Sequence, residues 1–362
     1  MDGKLRRYLL GLGGALLVVA LVVVRFLTVS GAFTAIEPQP LAGCTSQPLP
    51  GPAADLEIDR TAGIAYLSVL DRRALDDNAL IVGTIQKLDL NQPGAQPMPA
   101  TAGDPPGFRP QGLSLWLRAE GPRRLFVVNR PLDASGREQQ TVEVFEQQSD
   151  GLFHHQKTLS DALFVHASDV AAVGPDQFYL SNDSGARNFL TRAVEVLFQL
   201  AWSNVIYYDG AHASVAVSDR SQANGVRASA DGLRLYIAEA GARQILIFDR
   251  DPDTGSLYWS SLIEVPGAPE RLDIAEDGAL WAAIQPNTWA RMRSLSSASV
   301  APTMILTMAS PVNGFSKAQR VYVNDGSEFS GGTASAAHRG RVILGSATES
   351  RLMTCPIPAA PG

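Results

Sequence analysis

Polar and apolar positions alternate along this chain in a repeated grammar: a polar entry, a short apolar run, a turn, then a second apolar run. The clearest copy is Asn224 to Gly241 (NGVRASADGLRLYIAEAG), where an Asp-Gly pair sits between two strand-like segments. Both residues of that pair tolerate φ > 0, so the pattern reads as a tight hairpin. Related copies begin at Asp55, Gln111, Ser168, Glu270 and Gly332, giving starts 56, 57, 56, 46 and 62 residues apart. A period near 50 residues with about four short strands per unit predicts an all-β, six-bladed propeller. A single small sheet cannot bury both of its faces, whereas six around an axis can. The first residues of each innermost strand then converge on one end of the central channel, bringing together Asp55, Gln111, Ser168, Asp169, Asn224, Glu270 and Arg271.

Two segments break the pattern. MDGKLRR precedes an uncharged apolar run from Tyr8 to Val24, 17 residues at the lower limit for crossing a bilayer, with Arg25 placed to snorkel at its far end. The preceding Lys4, Arg6 and Arg7 predict a cytoplasmic N-terminus and an exported remainder. Residues 1–29 are read as a signal anchor, residues 30–52 as a Pro-rich connector and residues 53–362 as the propeller; the alternative to the anchor is a cleaved signal peptide and secretion. The second break is Arg187 to Asp209, where Leu190, Val194, Leu197, Phe198 and Leu200 recur at helical spacing. They predict one short extra helix before the strand Val205 to Tyr208, its apolar face packed on the propeller rim.

The hydrophobic share of 45% and charged share of 18% describe a packed core rather than a disordered chain. The formal charge is −6 although the N-terminal tail is basic, so the exported part is acidic and lacks the cationic patch a nucleic-acid binder needs. Acidic loop ends suit a hard cation such as Ca²⁺ instead. The run Asp249 to Gly255 (DRDPDTG) lacks the terminal Glu of an EF-hand loop and reads as a hairpin tip. The two cysteines, Cys44 and Cys355, flank the repeat array and predict a disulfide joining the chain ends in an oxidising compartment.

The order of LFVVNRP (125–131), SDVAAVGPDQFYLSND (168–183), LAWSNVIYYD (200–209), QANGVRASADGLRLYIAEA (222–240) and the terminal Cys355 resembles the serum paraoxonase/arylesterase family, relatives of the gluconolactonase-type propellers. That resemblance implies hydrolysis of esters or lactones with two channel calcium ions, one structural and one catalytic. Structural-ion ligands carry over to Asp55, Asp169 and the backbone carbonyl of Leu113. The family's catalytic-ion ligands are only partly kept. Asn224 is retained, but Ala54 stands for a carboxylate, Ser168 for an asparagine, and Glu270 with Arg271 for an Asp-Asn pair. Gln111 and Arg130 replace the family's histidine pair, and Ser184 and Gln285 replace two further histidines.

Two functions follow. In the first, the chain is a divergent ester or lactone hydrolase. Arg271 stabilises an oxyanion and Glu270 acts as base beside Asn224, with Gln111, Arg130, Asp183, Ser184 and Gln285 lining the substrate site. A weaker second calcium on Asn224, Glu270 and Ser168 is the variant of this reading. In the second, it is a non-catalytic, membrane-tethered binding or scaffold propeller that keeps only the structural ion. His166, at a strand entry, reads as structural.

Overall fold

In the computed structural model, which describes residues 3–74, 81–117, 121, 123–309 and 317–358, the six repeats form six sheets, antiparallel but for the short parallel pairing of Thr101–Ala102 with Phe153–Leu159 in the second. Residues 118–120 and 122, in the turn of the second repeat, lie outside the described residues. The innermost strands are Ala53–Asp59, Pro110–Trp116, Ala167–Ala172, Ala223–Ala228, Ala268–Ile274 and Gly332–His338, and each contacts the next until the sixth meets the first. We number the blades one to six by these strands.

The second strand of each blade is covered on both faces, which is why LFVVN, FYLSN, LYIAE and LWAAIQ read as nearly unbroken apolar runs rather than alternating ones. Adjacent blades share apolar clusters: Tyr236 and Ile245 of blade four pack with Leu280, Ile284 and Leu306 of blade five. Trp281 and Tyr322 of blade five pack with Leu344 and Met353 of blade six. The Asp231-Gly232 turn forms as its sequence requires, with Gly232 at φ 70° and Asp231 Oδ1 accepting from the Leu233 N–H at 3.0 Å. Asp249 to Gly255 likewise joins the strands Gln244–Arg250 and Leu257–Glu264.

Blade six is completed from the other end of the chain. Thr45–Pro48 pairs antiparallel with Arg351–Pro356, and Cys44 is disulfide-bonded to Cys355 across a separation of 311 residues. The strand lies inside the stretch that reads as connector from sequence. It supplies the outermost ladder of the last blade.

Three helices stand among the described residues. Helix α1, Gly3–Val29, carries the apolar span Leu10–Val29, long and apolar enough to cross a bilayer and unburied by the rest of the protein. Its C-terminal end rests on blades four and five: Thr288 donates its N–H to Ser30 O at 2.8 Å, and Phe26 meets Trp289 edge-on at 6.1 Å. Helix α2, Phe189–Phe198, is the expected extra helix, capped by the Asn188 side chain accepting from the Thr191 N–H at 2.9 Å. Its apolar side is not packed on the rim, however: Phe189 and Leu190 are 82% and 74% exposed. The residue it buries is Glu195, because that carboxylate satisfies Ser184 Oγ and the N–H groups of Gly185 and Ala186. Helix α3, Thr288–Ser296, was not expected. Asn287 caps it by accepting from the Ala290 N–H at 2.8 Å, and its scarce apolar residues give no helical stripe to read.

Replacing Cys44 and Cys355 by Ser should lower the unfolding free energy by about 3–5 kcal/mol, the chain-entropy value for so long a loop. Denaturant titration of the double variant against the oxidised protein checks this; coincident midpoints would contradict it.

Candidate active site at the channel mouth

Every inner strand is irregular at the same place. Pairing with the second strand slips between Ala53 and Asp55, Pro110 and Leu113, Ala167 and Asp169, Ala223 and Gly225, Pro269 and Leu272, and Gly332 and Ala334. A bulge leaves a residue unpaired and re-aims its side chain. Here the residues released are Ala54, Gln111, Ser168, Asn224, Glu270, Arg271 and Thr333. Two glycines let neighbouring bulges approach: a Cβ on Gly112 would collide with the Asp169 carboxylate, and one on Gly225 with the Glu270 carbonyl.

Four of them, Ser168, Asn224, Glu270 and Arg271, make one polar knot. Arg271 Nη1 lies 3.2 Å from Ser168 Oγ, from Asn224 Oδ1 and from Asn224 O, while Nη2 donates to Ser168 O at 2.9 Å. Ser168 Oγ donates to Asn224 Oδ1 at 2.7 Å, and Asn224 Nδ2 holds Glu270 Oε2 at 2.6 Å. Arg271 Nε stands 3.7 Å from Asp55 Oδ2 and has no hydrogen-bond partner.

Asp55 and Asp169 lie beneath, each 4% exposed. Asp55 accepts from the N–H groups of Leu56 and Leu113, and Asp169 from those of Val170 and Val226. Burial and the repulsion of Asp169 push the Asp55 carboxyl well up; burial also raises Asp169, opposed by Arg271. Burial alone would lower Arg271, but Asp169, Asp55 and Glu270 outweigh it and hold the guanidinium above its ordinary value. Further along the axis, Arg227 pairs with Glu57 and with Asp273, the latter at 3.4 Å, and Arg60 reaches the other oxygen of Asp273.

The remaining residues singled out from sequence sit around this knot at different distances from it. Gln111 Oε1 accepts from Arg72 Nη2 at 2.9 Å. Arg130 donates through Nε to Ala167 O at 2.7 Å and stands 3.7 Å from Asp183, whose carboxylate also contacts His166 Nδ1. Burial would raise Asp183, but His166, Arg130 and Arg192 outweigh it and pull the carboxyl below the usual range. Ser184 is committed to Glu195, and Gln285 donates to Gly332 O between blades five and six. A pocket of about 180 Å³ opens here, lined by Asp183, Asn224, Glu270, Arg192 and Arg291, with Phe26 of α1 at its edge.

Residues that sequence reasoning passed over are Arg72, Arg192 and Arg291 at the mouth and the Glu57–Arg227–Asp273–Arg60 group below it. The second group carried a signal: Asp55, Glu57 and Asp59 alternate along one strand and Arg271 and Asp273 along another, so each set faces one way. Arg72 and Arg291 lie in a loop and in the unexpected helix, where no period marks them.

Among the described residues no group of three or more His, Cys, Asp or Glu side chains is placed to hold a metal ion. The donor chemistry differs between the two sites implied by the resemblance. Asp55 and Asp169 are buried acids sharing one nearby guanidinium, and they suit a single hard cation. The second site does not fit, since a guanidinium within 3.2 Å of both Ser168 Oγ and Asn224 Oδ1 puts a fixed positive charge among the oxygens that a second ion would need.

A family model described as Arylesterase matches residues 77–356. Serum paraoxonase/arylesterase 1 of Rattus norvegicus is 29% identical over 339 residues, covering 90% of this chain and 92% of that protein. Among solved structures, the calcium-binding protein regucalcin of Agrobacterium tumefaciens superposes with a TM-score of 0.52 at 12% identity, over 88% of this chain and 94% of its own. A gluconolactonase-like protein gives 0.51 at 12% identity, over 89% and 98%. These structural likenesses show the shared propeller.

In calcium-free protein, replacing Arg271 by Ala leaves Asp55 and Asp169 buried without a cation, and should destabilise the protein by about 3–5 kcal/mol. Adding Asp169→Asn should recover part of that loss. Urea unfolding of the single and double variants tests the coupling, and simple additivity of the two losses would refute it.

Proposed function

The chain belongs to the arylesterase family, and from that membership we propose that it is an exported, membrane-tethered hydrolase of carboxylic esters or lactones whose mouth chemistry runs on Arg271 rather than on a second calcium ion. The observation that carries this reading is the knot of Arg271, Ser168, Asn224 and Glu270, in which a fixed cation and a carboxylate are both held by Asn224, and Asn224 and Glu270 line the pocket. In the proposed reaction Glu270 takes a proton from water as the water oxygen bonds to the substrate carbonyl carbon. Negative charge gathers on the carbonyl oxygen beside the Arg271 guanidinium. The C–O bond to the alcohol then breaks, and Glu270 returns the proton to the leaving oxygen. Asn224 positions Glu270 and takes no proton.

One calcium ion, held by Asp55, Asp169 and the Leu113 carbonyl, would tie blades one, two and three together and has no step in this chemistry. Helix α1 is proposed to stay as the anchor, with the propeller on the extracytoplasmic side. Its seating beside Trp289 and Thr288 supports retention, because cleavage would strip contacts from the mouth.

A second reading, a binding propeller without catalysis, is favoured by one feature: both Nη atoms of Arg271 are already engaged by protein oxygens. Glu270→Gln separates the two. The hydrolase reading expects kcat on aryl-acetate and lactone substrates to fall about 10²–10⁴-fold with KM little changed. If Glu270→Gln leaves every hydrolytic rate unchanged, or if no substrate in such a panel is cleaved by the parent protein, the binding reading replaces it.

Elemental analysis after exhaustive dialysis should find one calcium per chain, lost in Asp169→Asn. Calcium at 100 times its Kd should stabilise the parent by about 2.7 kcal/mol. Two ions per chain would overturn the assignment of Arg271 to the second ion's place.

A further inference from the structure

The mouth holds two arginines that neither the knot nor the axial ion pairs use. Arg72 follows the second strand of blade one and, among the described residues, bonds only neutral acceptors: Leu70 O, Pro110 O at 3.1 Å and Gln111 Oε1 at 2.9 Å. Arg291 is on α3, and its Nε and Nη1 atoms are buried without a hydrogen-bond partner. The adjacent Arg73 fixes the loop to that helix by donating to Ser294 O at 2.7 Å, so the two arginines are held on facing elements. Among the described residues no carboxylate lies within ion-pair distance of either. The acids of the mouth are committed elsewhere: Asp183 to His166, Arg130 and Arg192, Glu195 to Ser184 and two backbone N–H groups, Glu270 to Asn224.

A buried guanidinium with unmet donors is costly, and it is commonly completed by an oxyanion with matching acceptors. The electrostatics agree. Burial pulls Arg72 well below the usual arginine range, and Arg291, Arg271 and Arg130 pull it further. Burial lowers Arg291 as well, relieved by Glu270 and deepened by Arg271 and Arg73. Arginine stays charged regardless, so the strain shows as a local excess of positive charge in an otherwise acidic protein. An anion entering between Arg72 and Arg291 would relieve it.

We propose that Arg72 and Arg291 form an oxyanion subsite at the channel mouth, so that the ligand is an anion presenting a carboxylate or phosphate group there. This rests on the mouth being the ligand site, as in the hydrolase reading, and makes the substrate an ester or lactone that bears a second, charged group. Arg291 lines the same pocket as Glu270, which places the anionic group beside the reacting carbonyl and not at a remote surface. Glu270 also disfavours a free carboxylate at the reacting position itself, since the two charges would repel.

The test needs no turnover. Inorganic phosphate and acetate are titrated calorimetrically into the full chain in detergent at low salt, and then into Arg72→Gln, Arg291→Gln and the control Arg341→Gln on the outside of blade six. Saturable binding of either anion is expected, weakened about tenfold or more by each mouth substitution, as loss of a charged hydrogen bond implies, and unchanged in the control. Melting curves establish that the variants are folded, and Arg72→Lys, which keeps the charge but not the fork, should fall between parent and Arg72→Gln. Phosphate binding without acetate binding assigns a phosphorylated ligand, and the reverse a carboxylate. No saturable binding of either anion, or binding indifferent to both mouth substitutions, overturns the proposal. If phosphate binds as described while no ester is cleaved, the hydrolase reading fails and the anion site stands. If neutral esters are cleaved and neither anion binds or competes, the anion site fails alone.

Discussion

The arrangement depends on one constraint: each inner strand must break its ladder at the same height. A regular strand would alternate its side chains between the two neighbouring blades and give the axis only narrow access. The slips in blades two to five turn Gln111, Ser168, Asn224, Glu270 and Arg271 toward the channel mouth, and Gly112 and Gly225 allow the adjacent backbones to come close enough for side chains from different blades to bond. Substitutions at these positions change the chemistry of the mouth while the meander behind it keeps its packing. That is how a chain can hold its family's fold while only 29% identical to a serum paraoxonase/arylesterase.

The axis carries a second consequence. Charges buried along it must balance locally, because the protein interior screens them poorly. Asp55 and Asp169 share Arg271, and deeper down Glu57 and Asp273 share Arg227 and Arg60. A guanidinium is a poor substitute for a divalent ion in charge, but it is covalently attached, directional and always present. As the cation of the mouth, Arg271 is a fixed group with oriented N–H donors. The same side chain then stabilises the fold and shapes the site, so the two roles cannot be altered independently.

Much of the architecture was legible in the sequence because it depends on local chemistry. Asp231-Gly232 specifies its hairpin, and the buried second strands announce themselves as apolar runs. The paired cysteines point to the joined ends. The spaced apolar residues from Leu190 to Leu200 mark α2. What the sequence hid depends on encounters between distant segments. The burial of Glu195, instead of the apolar residues around it, follows from three donors in the loop Ser184 to Ala186. Helix α3 has a cap but almost no stripe. The convergence of Asp55, Asp169 and Arg271 was readable from the repeat phase, whereas the placing of Arg72 and Arg291 depends on how a loop and a helix fold over the mouth.

The last ladder of blade six has a bearing on how the protein comes into being. Its outermost strand, Thr45–Pro48, is made soon after α1, and its partner, Arg351–Pro356, only after all six inner strands. Until that partner arrives, the early strand has no sheet to join and the ring is open, with bare edges on blades one and six. Closure therefore waits for Arg351–Pro356 to be made and for conditions oxidising enough to bond Cys44 to Cys355. The earlier strand waits, unpaired, for the later one to come back to it.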